Sequence, residues 1–200
     1  MPATIDLWFD PSCPFAWMTS RWAREVAALR PVAIRWRLMS LAIVNEGETL
    51  SDRHRAALER STRALRVLAA TDRDHGNDAL GRLYATIGER VHPGGRDLDD
   101  AVLAEALAEA GLPAGLASAA DDVALDDRVR GSHDEGQEAV GTRIGTPLVR
   151  IGQRAFFGPV GNPTPRGEDA ARLYDAIAAL DAVPGFSELK RGRGPELDLT

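Results

Sequence analysis

Strand-forming patterns occur near both ends of this chain and are missing from its long middle. In residues 45–141 apolar residues recur at helical spacing, and no alternating or short buried apolar run interrupts them. The order before this block is strand, helix, strand, and the order after it is two strands and a helix. These patterns predict one α/β domain, formed by residues 1–44 and 142–200, with a helical insertion over residues 45–141.

The boundaries of the predicted elements follow from apolar spacing and from capping residues. Outside the insertion they are strands over Ile5–Phe9 and Val32–Leu38, a helix over Cys13–Leu29 capped by Ser12, a hairpin of Pro147–Ile151 with Arg154–Phe157, and a last helix over Gly167–Leu180. Inside it, helices are predicted from Ser51 to Gly76, from an Asn77 cap, from Asp97 to Gly111, over Pro113–Ala120 and over Asp121–Val140.

Composition excludes several classes of function. The net charge is -6, which disfavours a nucleic-acid or anionic-membrane partner, because both need a basic face. No apolar run approaches the ~20 residues that span a bilayer, and the first residues lack the basic segment of a secretory signal. One cysteine excludes an internal disulfide, and the four histidines lack zinc-ligand spacing. We expect a cytoplasmic protein without a metal.

Cys13 is the strongest candidate for a reactive group. It follows a strand directly and lies at the first turn of a helix, with Pro14 after it. Free backbone N–H groups and the positive end of the helix dipole stabilise a thiolate there and lower the pKa of a cysteine. The alternative is that Cys13 is a small buried apolar residue, as most single cysteines are.

A second motif, Gly145-Thr146-Pro147, leads into the strand that follows the insertion. A proline at the start of a strand is usually an ordinary trans turn residue. In a chain of this order, however, a cis-proline at this point can lie opposite the cysteine of the first helix. The backbone of Thr146 is then able to hydrogen-bond a thiol substrate.

These motifs resemble the thioredoxin fold and, within it, the DsbA-like branch, which carries a helical domain between its two halves. The similarity is greatest to the actinobacterial members that include the mycothiol-dependent nitroreductase. It extends over nearly the whole chain, in segments that occur in the same order: Trp8–Pro14, Trp17–Trp22, Met39–Glu46, Val140-Gly141, Gly145–Pro147, Phe156–Pro159, Pro165–Glu168 and Glu188–Arg191.

One departure from the family pattern Cys-Pro-Trp-Cys changes the expected chemistry. The chain has Cys13-Pro14-Phe15-Ala16, so the second, resolving cysteine is absent. Cys13 must therefore act as a monothiol, with a second small thiol resolving the mixed disulfide. The resemblance implies mycothiol as that thiol and a small electrophile or nitroaromatic as the other substrate.

Two other functions stay open. Kappa-class glutathione transferases and hydroxychromene-carboxylate isomerases have this fold and use a bound thiol without a cysteine pair. A non-catalytic binding or chaperone-like module is the third interpretation. The resemblance also makes a homodimer plausible, although no residue pattern supports one.

Further residues are candidates for binding the thiol or the second substrate. Phe15 is expected beside the thiol, where it could stack on a flat substrate. Trp17 lies one turn deeper on the same helix, so packing in the core is its expected role and a wall of the groove the alternative. Asn45 either binds a ligand or ends the linker into the insertion. His92 is expected to be a solvated loop histidine with a pKa near ~6.5, and acid/base catalysis is its alternative.

Overall fold

A mixed sheet of four strands forms in the order β2-β1-β3-β4 in the computed structural model, which describes residues 3–192, 194 and 196–200. The strands are β1 (Ala3–Phe9), β2 (Val32–Leu38), β3 (Leu148–Ile151) and β4 (Arg154–Phe157). β1 pairs parallel with β2 and antiparallel with β3, and β3 pairs antiparallel with β4. The four strands occur where the sequence predicted them along the chain, and the α/β fold class is confirmed.

The helices are α1 (Pro14–Leu29), α2 (Leu41–Val44), α3 (Asp52–His75), α4 (Asn77–Val91), α5 (Asp100–Glu109), α6 (Asp126–Val140) and α7 (Gly167–Leu180), with 3-10 turns over Ala114–Asp121 and Val123–Leu125 before α6. α1 is the crossover that a parallel β1-β2 pair requires. The α3 to α6 helices and the 3-10 turns lie within residues 45–141, whereas the short α2, which was not predicted, lies just before them. Met1, Pro2, Arg193 and Pro195 lie outside the described residues.

The predicted caps are wrong at three helices, because each side chain has another hydrogen-bond partner or position. Cys13, not Ser12, is the N-cap of α1, and Ser12 Oγ donates to Asp10 Oδ1 at 2.6 Å. Asp97 precedes a helix that begins at Asp100, where Asp99 accepts from the backbone N–H of Val102.

Asn77 is the first residue of α4 rather than its cap, and Gly76 at φ 83° is the N-cap. The Asn77 side chain instead hydrogen-bonds to the backbone of β2. Its Oδ1 accepts from Trp36 N at 2.8 Å, and its Nδ2 donates to Trp36 O at 2.9 Å. β2 is an edge strand, so Asn77 occupies backbone groups that would otherwise lack a partner.

Alternating residues of β1 enter two separate cores. Ile5, Leu7 and Phe9 face α1 and belong to a large buried cluster that continues into the helices of the insertion. Trp8 faces the other side of the sheet, where it packs with Met39 and Leu148 beneath α6. The larger of the two cores is thus shared by the sheet and the inserted helices.

The last residues return to α1. The indole N–H of Trp17 donates to Leu199 O at 2.9 Å, and the Leu199 side chain packs against the large core. Asn162 donates to Glu196 O at 2.6 Å and accepts from Asp198 N at 2.9 Å. Among the described residues, none of the helices is long and apolar enough to cross a membrane.

Candidate active site

The two motifs singled out in the sequence meet at one point. Cys13 stands at the start of α1, in a turn closed by its backbone N–H, which donates to Asp10 O at 3.0 Å. Its Sγ donates to the backbone oxygen of Thr146 at 3.3 Å, across 133 residues of chain. The Thr146-Pro147 bond is cis, and the Thr146 hydroxyl donates to Trp8 O at 2.8 Å. Cys13 is 5% exposed.

The electrostatics of Cys13 differ from those expected of a reactive thiol. Burial raises its pKa to about 12 and is the largest influence. The backbone N–H groups of Ala16 and Phe15 lower the pKa, and the nearby charge of Asp10 raises it. The backbone at the helix N-terminus lowers the pKa as predicted, but the predicted net lowering is wrong, because the loss of solvation outweighs the backbone donors.

Asp10 is a site residue that the sequence analysis missed. It directly follows β1, is fully buried, and accepts four hydrogen bonds from three segments. Ser12 donates to Oδ1 through both its backbone N–H, at 2.9 Å, and its hydroxyl. Ser61 Oγ of α3 donates to the same oxygen at 2.5 Å, and the Leu41 N–H of α2 donates to Oδ2 at 2.8 Å. An aspartate two residues before a serine is a signal for the local turn, but not for the two distant donors.

Tyr84 of α4 is a second missed residue. Its ring stacks on Phe9 with centroids 3.7 Å apart, and it is fully buried. Within the described chain its hydroxyl has no hydrogen bond of normal geometry, although the neighbouring Ser20 hydroxyl lowers its pKa. Burial raises the pKa of Tyr84 well above its usual value, and the neighbouring Cys13 raises it further. The helical spacing identified Tyr84 only as part of an apolar face.

His92 and Trp17 form one stacked pair, with ring centroids 5.7 Å apart, beside the turn of residues 10–13 that carries the thiol and is called the thiol turn below. His92 Nε2 lies 3.1 Å from Pro11 O. A carbonyl only accepts, so Nε2 carries the proton. Burial lowers the pKa of His92 to about 4, so the expectation of a solvated histidine with an ordinary pKa is wrong. Trp17 is 1% exposed and packs in the core; it does not face an open groove.

The structure places the remaining predicted residues around this turn. Pro14 is the first residue of α1 and is half-buried. Phe15 is also half-buried and packs against the large core, so it is less exposed than expected. Asn45 caps the end of α2, where its Nδ2 donates to Leu41 O at 2.7 Å, as a residue that ends the linker would. Across the described residues, no group of three or more histidine, cysteine or acidic side chains could hold a metal ion.

Solved structures show which fold the chain has. The Chlamydia trachomatis DsbA matches with a TM-score of 0.61 and 13% identity, covering 92% of this chain and 89% of that one. The cytosolic disulfide reductase DsbM of Pseudomonas aeruginosa, solved with GSH, matches with a TM-score of 0.59 and 18% identity, covering 88% of this chain and 100% of that one. The chain thus has the thioredoxin-like fold of DsbA proteins with a helical insertion.

Sequence comparison narrows this class to one family. Residues 12–191 match the model of the Rv2466c-like family, described as mycothiol-dependent nitroreductase Rv2466c, and the chain belongs to this family. A relative from Mycobacterium tuberculosis (strain ATCC 25618 / H37Rv), the uncharacterized protein Rv2286c, is 34% identical over 197 residues, which are 96% of this chain and 83% of the relative. Membership confirms the class of enzyme predicted from the sequence, a thiol-dependent oxidoreductase of DsbA type.

Proposed function

We propose that this protein is a monothiol oxidoreductase in which Cys13 forms a mixed disulfide with a low-molecular-weight thiol. In view of the family, that thiol is mycothiol. The observation that carries the proposal is the contact between Cys13 Sγ and Thr146 O at 3.3 Å, at the N-terminus of α1. Ala16, which is fully buried, occupies the position of a second cysteine, so the resolving thiol must come from outside the chain.

The exchange balances in two steps. The Cys13 thiolate attacks the small-thiol sulfur of a disulfide between that thiol and a substrate, and the substrate leaves as a thiolate that takes up a proton. A second molecule of the small thiol then attacks the same sulfur, releases Cys13 and leaves as a symmetric disulfide. The net reaction converts the mixed disulfide and one molecule of the small thiol into the symmetric disulfide and the reduced substrate thiol.

The residues proposed for this site have different roles. Cys13 is the nucleophile, and the backbone of Thr146, fixed by Pro147, aligns the sulfur of the thiol substrate. Pro14 and Phe15 form the part of the site nearest the solvent. Trp17 and Asn45 hold the surrounding helices, so their contribution to binding is indirect. A small electrophile or nitroaromatic is the proposed second substrate, and a cytoplasmic location and a homodimer remain predictions.

Intact-mass spectrometry of the purified protein tests this proposal. The protein is incubated with mycothiol disulfide and, in parallel, with glutathione disulfide between pH 7 and 10, and Cys13→Ser is the control. We expect one adduct per chain in the natural sequence, none in the variant, and faster formation with mycothiol disulfide. If no adduct forms even at pH 10, Cys13 does not take part in thiol exchange.

A second candidate function is favoured by the protonated state of Cys13. A thiol with a pKa of about 12 stays protonated at neutral pH and donates a hydrogen bond, as it does to Thr146 O. In a transferase or isomerase of the kappa-class type, this S–H would donate to the sulfur of a bound thiol and would not be consumed. Cys13→Ser then keeps much of the activity with thiol and electrophile, whereas the redox function loses nearly all of it. A non-catalytic module would show neither activity.

A further inference from the structure

A cavity of about 390 Å³ lies between α2, α6 and the loop that precedes Thr146. Its lining is Ile43, Val44, Glu46, His133, Gln137 and Arg143. This volume is within the range of small-ligand sites, which start near ~300 Å³. None of these side chains takes part in the thiol contact described above.

His133 gives the cavity a fixed hydrogen-bond donor. The residue is 4% exposed, and its Nδ1 accepts from the Ser40 backbone N–H at 3.4 Å. Accepting at Nδ1 leaves the proton on Nε2, and burial lowers the pKa of His133, which keeps the ring neutral. Within the part of the chain that the structure describes, Nε2 has no hydrogen-bond partner. The Nε2 atom is not sealed from solvent, so a ligand or water can reach its N–H.

The charged residues of the cavity favour an oxygen-rich ligand. Glu46 is paired with Arg130 at 2.7 Å, so its carboxylate is engaged outside the cavity. Arg143 uses Nη2 to hold Val44 O and Glu46 O, and this places its guanidinium at the cavity wall. Gln137 fixes the same loop by bonding both the N–H and the carbonyl of Ile144. The donors that remain are the imidazole N–H and the guanidinium.

Two of the segments that line the cavity are connected to the thiol turn, one through the chain and one through a hydrogen bond. Arg143 lies three residues before Thr146, so their Cα atoms are at most about 11 Å apart. α2 forms the other wall with Ile43 and Val44, and at its start the Leu41 N–H donates to Asp10, the carboxylate that holds the turn before Cys13. A ligand with its sulfur at Cys13 and a polar portion of several ångströms can therefore reach both places.

We propose that this cavity binds the oxygen-rich, non-sulfur portion of the small-thiol substrate, with His133 Nε2–H and Arg143 as donors to its oxygen atoms. The assignment rests on the proposed function for the identity of the ligand as a thiol. Hydroxyl-rich thiols such as mycothiol and carboxylate-rich thiols such as glutathione offer the same acceptor chemistry, and the choice between them is made by experiment.

The dissociation constants of reduced mycothiol and reduced glutathione are measured by isothermal titration calorimetry with the Cys13→Ser protein, in which no thiol exchange can occur. Arg143→Met and His133→Phe are added to this background, with Arg128→Met as the matched control. Arg128 is on α6, like His133, but it pairs with Asp72 and does not line the cavity. Circular dichroism checks the fold of each variant, and Arg143→Met keeps the test decisive if the buried His133 variant does not fold.

We expect at least one thiol to bind, and Arg143→Met and His133→Phe each to weaken it about fivefold or more, the effect of one lost hydrogen bond of about 1 kcal/mol. Arg128→Met should bind within about twofold of the parent. The assignment is overturned if neither thiol binds at about 10 mM, or if Arg143→Met binds as tightly as Arg128→Met. The redox proposal fails separately, if the natural protein forms no adduct although the Cys13→Ser protein binds the thiol.

Discussion

At Cys13 the backbone of the first helical turn and the burial of the sulfur act on the thiolate in opposite directions. A helix N-terminus stabilises a nearby negative charge by about 0.3–2 kcal/mol, which is roughly one pKa unit. Full burial shifts a pKa by up to about 3–5 units, and the Asp10 carboxylate adds repulsion of the same sign. Burial therefore determines the resting state, which is a neutral thiol.

The reactivity of Cys13 should consequently depend steeply on pH. With a pKa of about 12, the thiolate fraction rises tenfold for each pH unit over the whole accessible range. We expect the alkylation rate by iodoacetamide, followed by intact mass, to rise about tenfold per unit from pH 7 to 10. A plateau below pH 9 would show that the sulfur becomes solvated in solution and that its pKa is far lower.

Replacement of Asp10 should make the thiol more acidic. Asp10→Asn removes the negative charge that raises the pKa of Cys13, so we expect alkylation at pH 9 to accelerate by about 3- to 10-fold, equivalent to 0.5–1 pKa unit. An amide cannot accept on both atoms, so the Leu41 N–H loses its partner and stability falls.

The alkylation rate of Asp10→Asn is compared in native buffer with that of Asp6→Asn, which changes a buried carboxylate of β1. Equal rates in the two variants would contradict the electrostatic role.

At the scale of elements, local patterns predict the segments and not their mutual contacts. The period-two alternation of β2 and the apolar spacing of α7 give Val32–Leu38 and Gly167–Leu180, the bounds that the structure has. Asp10 and Tyr84 could not be assigned in this way, because their environment depends on α3 and α4 packing against the end of β1. The burial of Cys13 has the same origin, and the sequence analysis could only leave it open.

The contact between α4 and α1 depends on a glycine. A Cβ at Gly88 would overlap the Trp17 ring, so Gly88→Ala must separate the two helices or displace the ring. We expect the free energy of unfolding in urea to fall by about 1–3 kcal/mol. Gly131→Ala is the control, since Gly131 lies inside α6 with open space around it. That variant should gain about 0.5–1 kcal/mol from helix propensity. A Gly88→Ala protein as stable as the parent would mean that the two helices do not pack this closely.

At the scale of the whole molecule, the shared core decides whether the insertion is independent. Buried residues form one contiguous cluster from Phe9 of β1 through Trp36 of β2 to Leu107 of α5. The sequence predicted an insertion because strand patterns disappear over residues 45–141, and the helices lie there. Their packing onto the sheet edge could not be predicted, because the apolar face of a helix does not specify which surface covers it.

A shared core predicts a single cooperative transition. All four tryptophans lie between residues 8 and 36, so their fluorescence reports on the sheet and α1, whereas far-UV circular dichroism reports mainly on the inserted helices. We expect the two signals to change at the same urea concentration. Two separated midpoints would show that the insertion unfolds on its own and that the cluster does not couple it to the sheet.

Because Cys13 is the only cysteine in the chain, oxidation cannot convert it into an internal disulfide. A small disulfide that reacts with it leaves one thiol attached until another thiol removes it, and that thiol adds its own mass to the protein. The masses of Cys13 adducts on protein isolated from cells and acidified at once would therefore identify the thiols that had reacted with it.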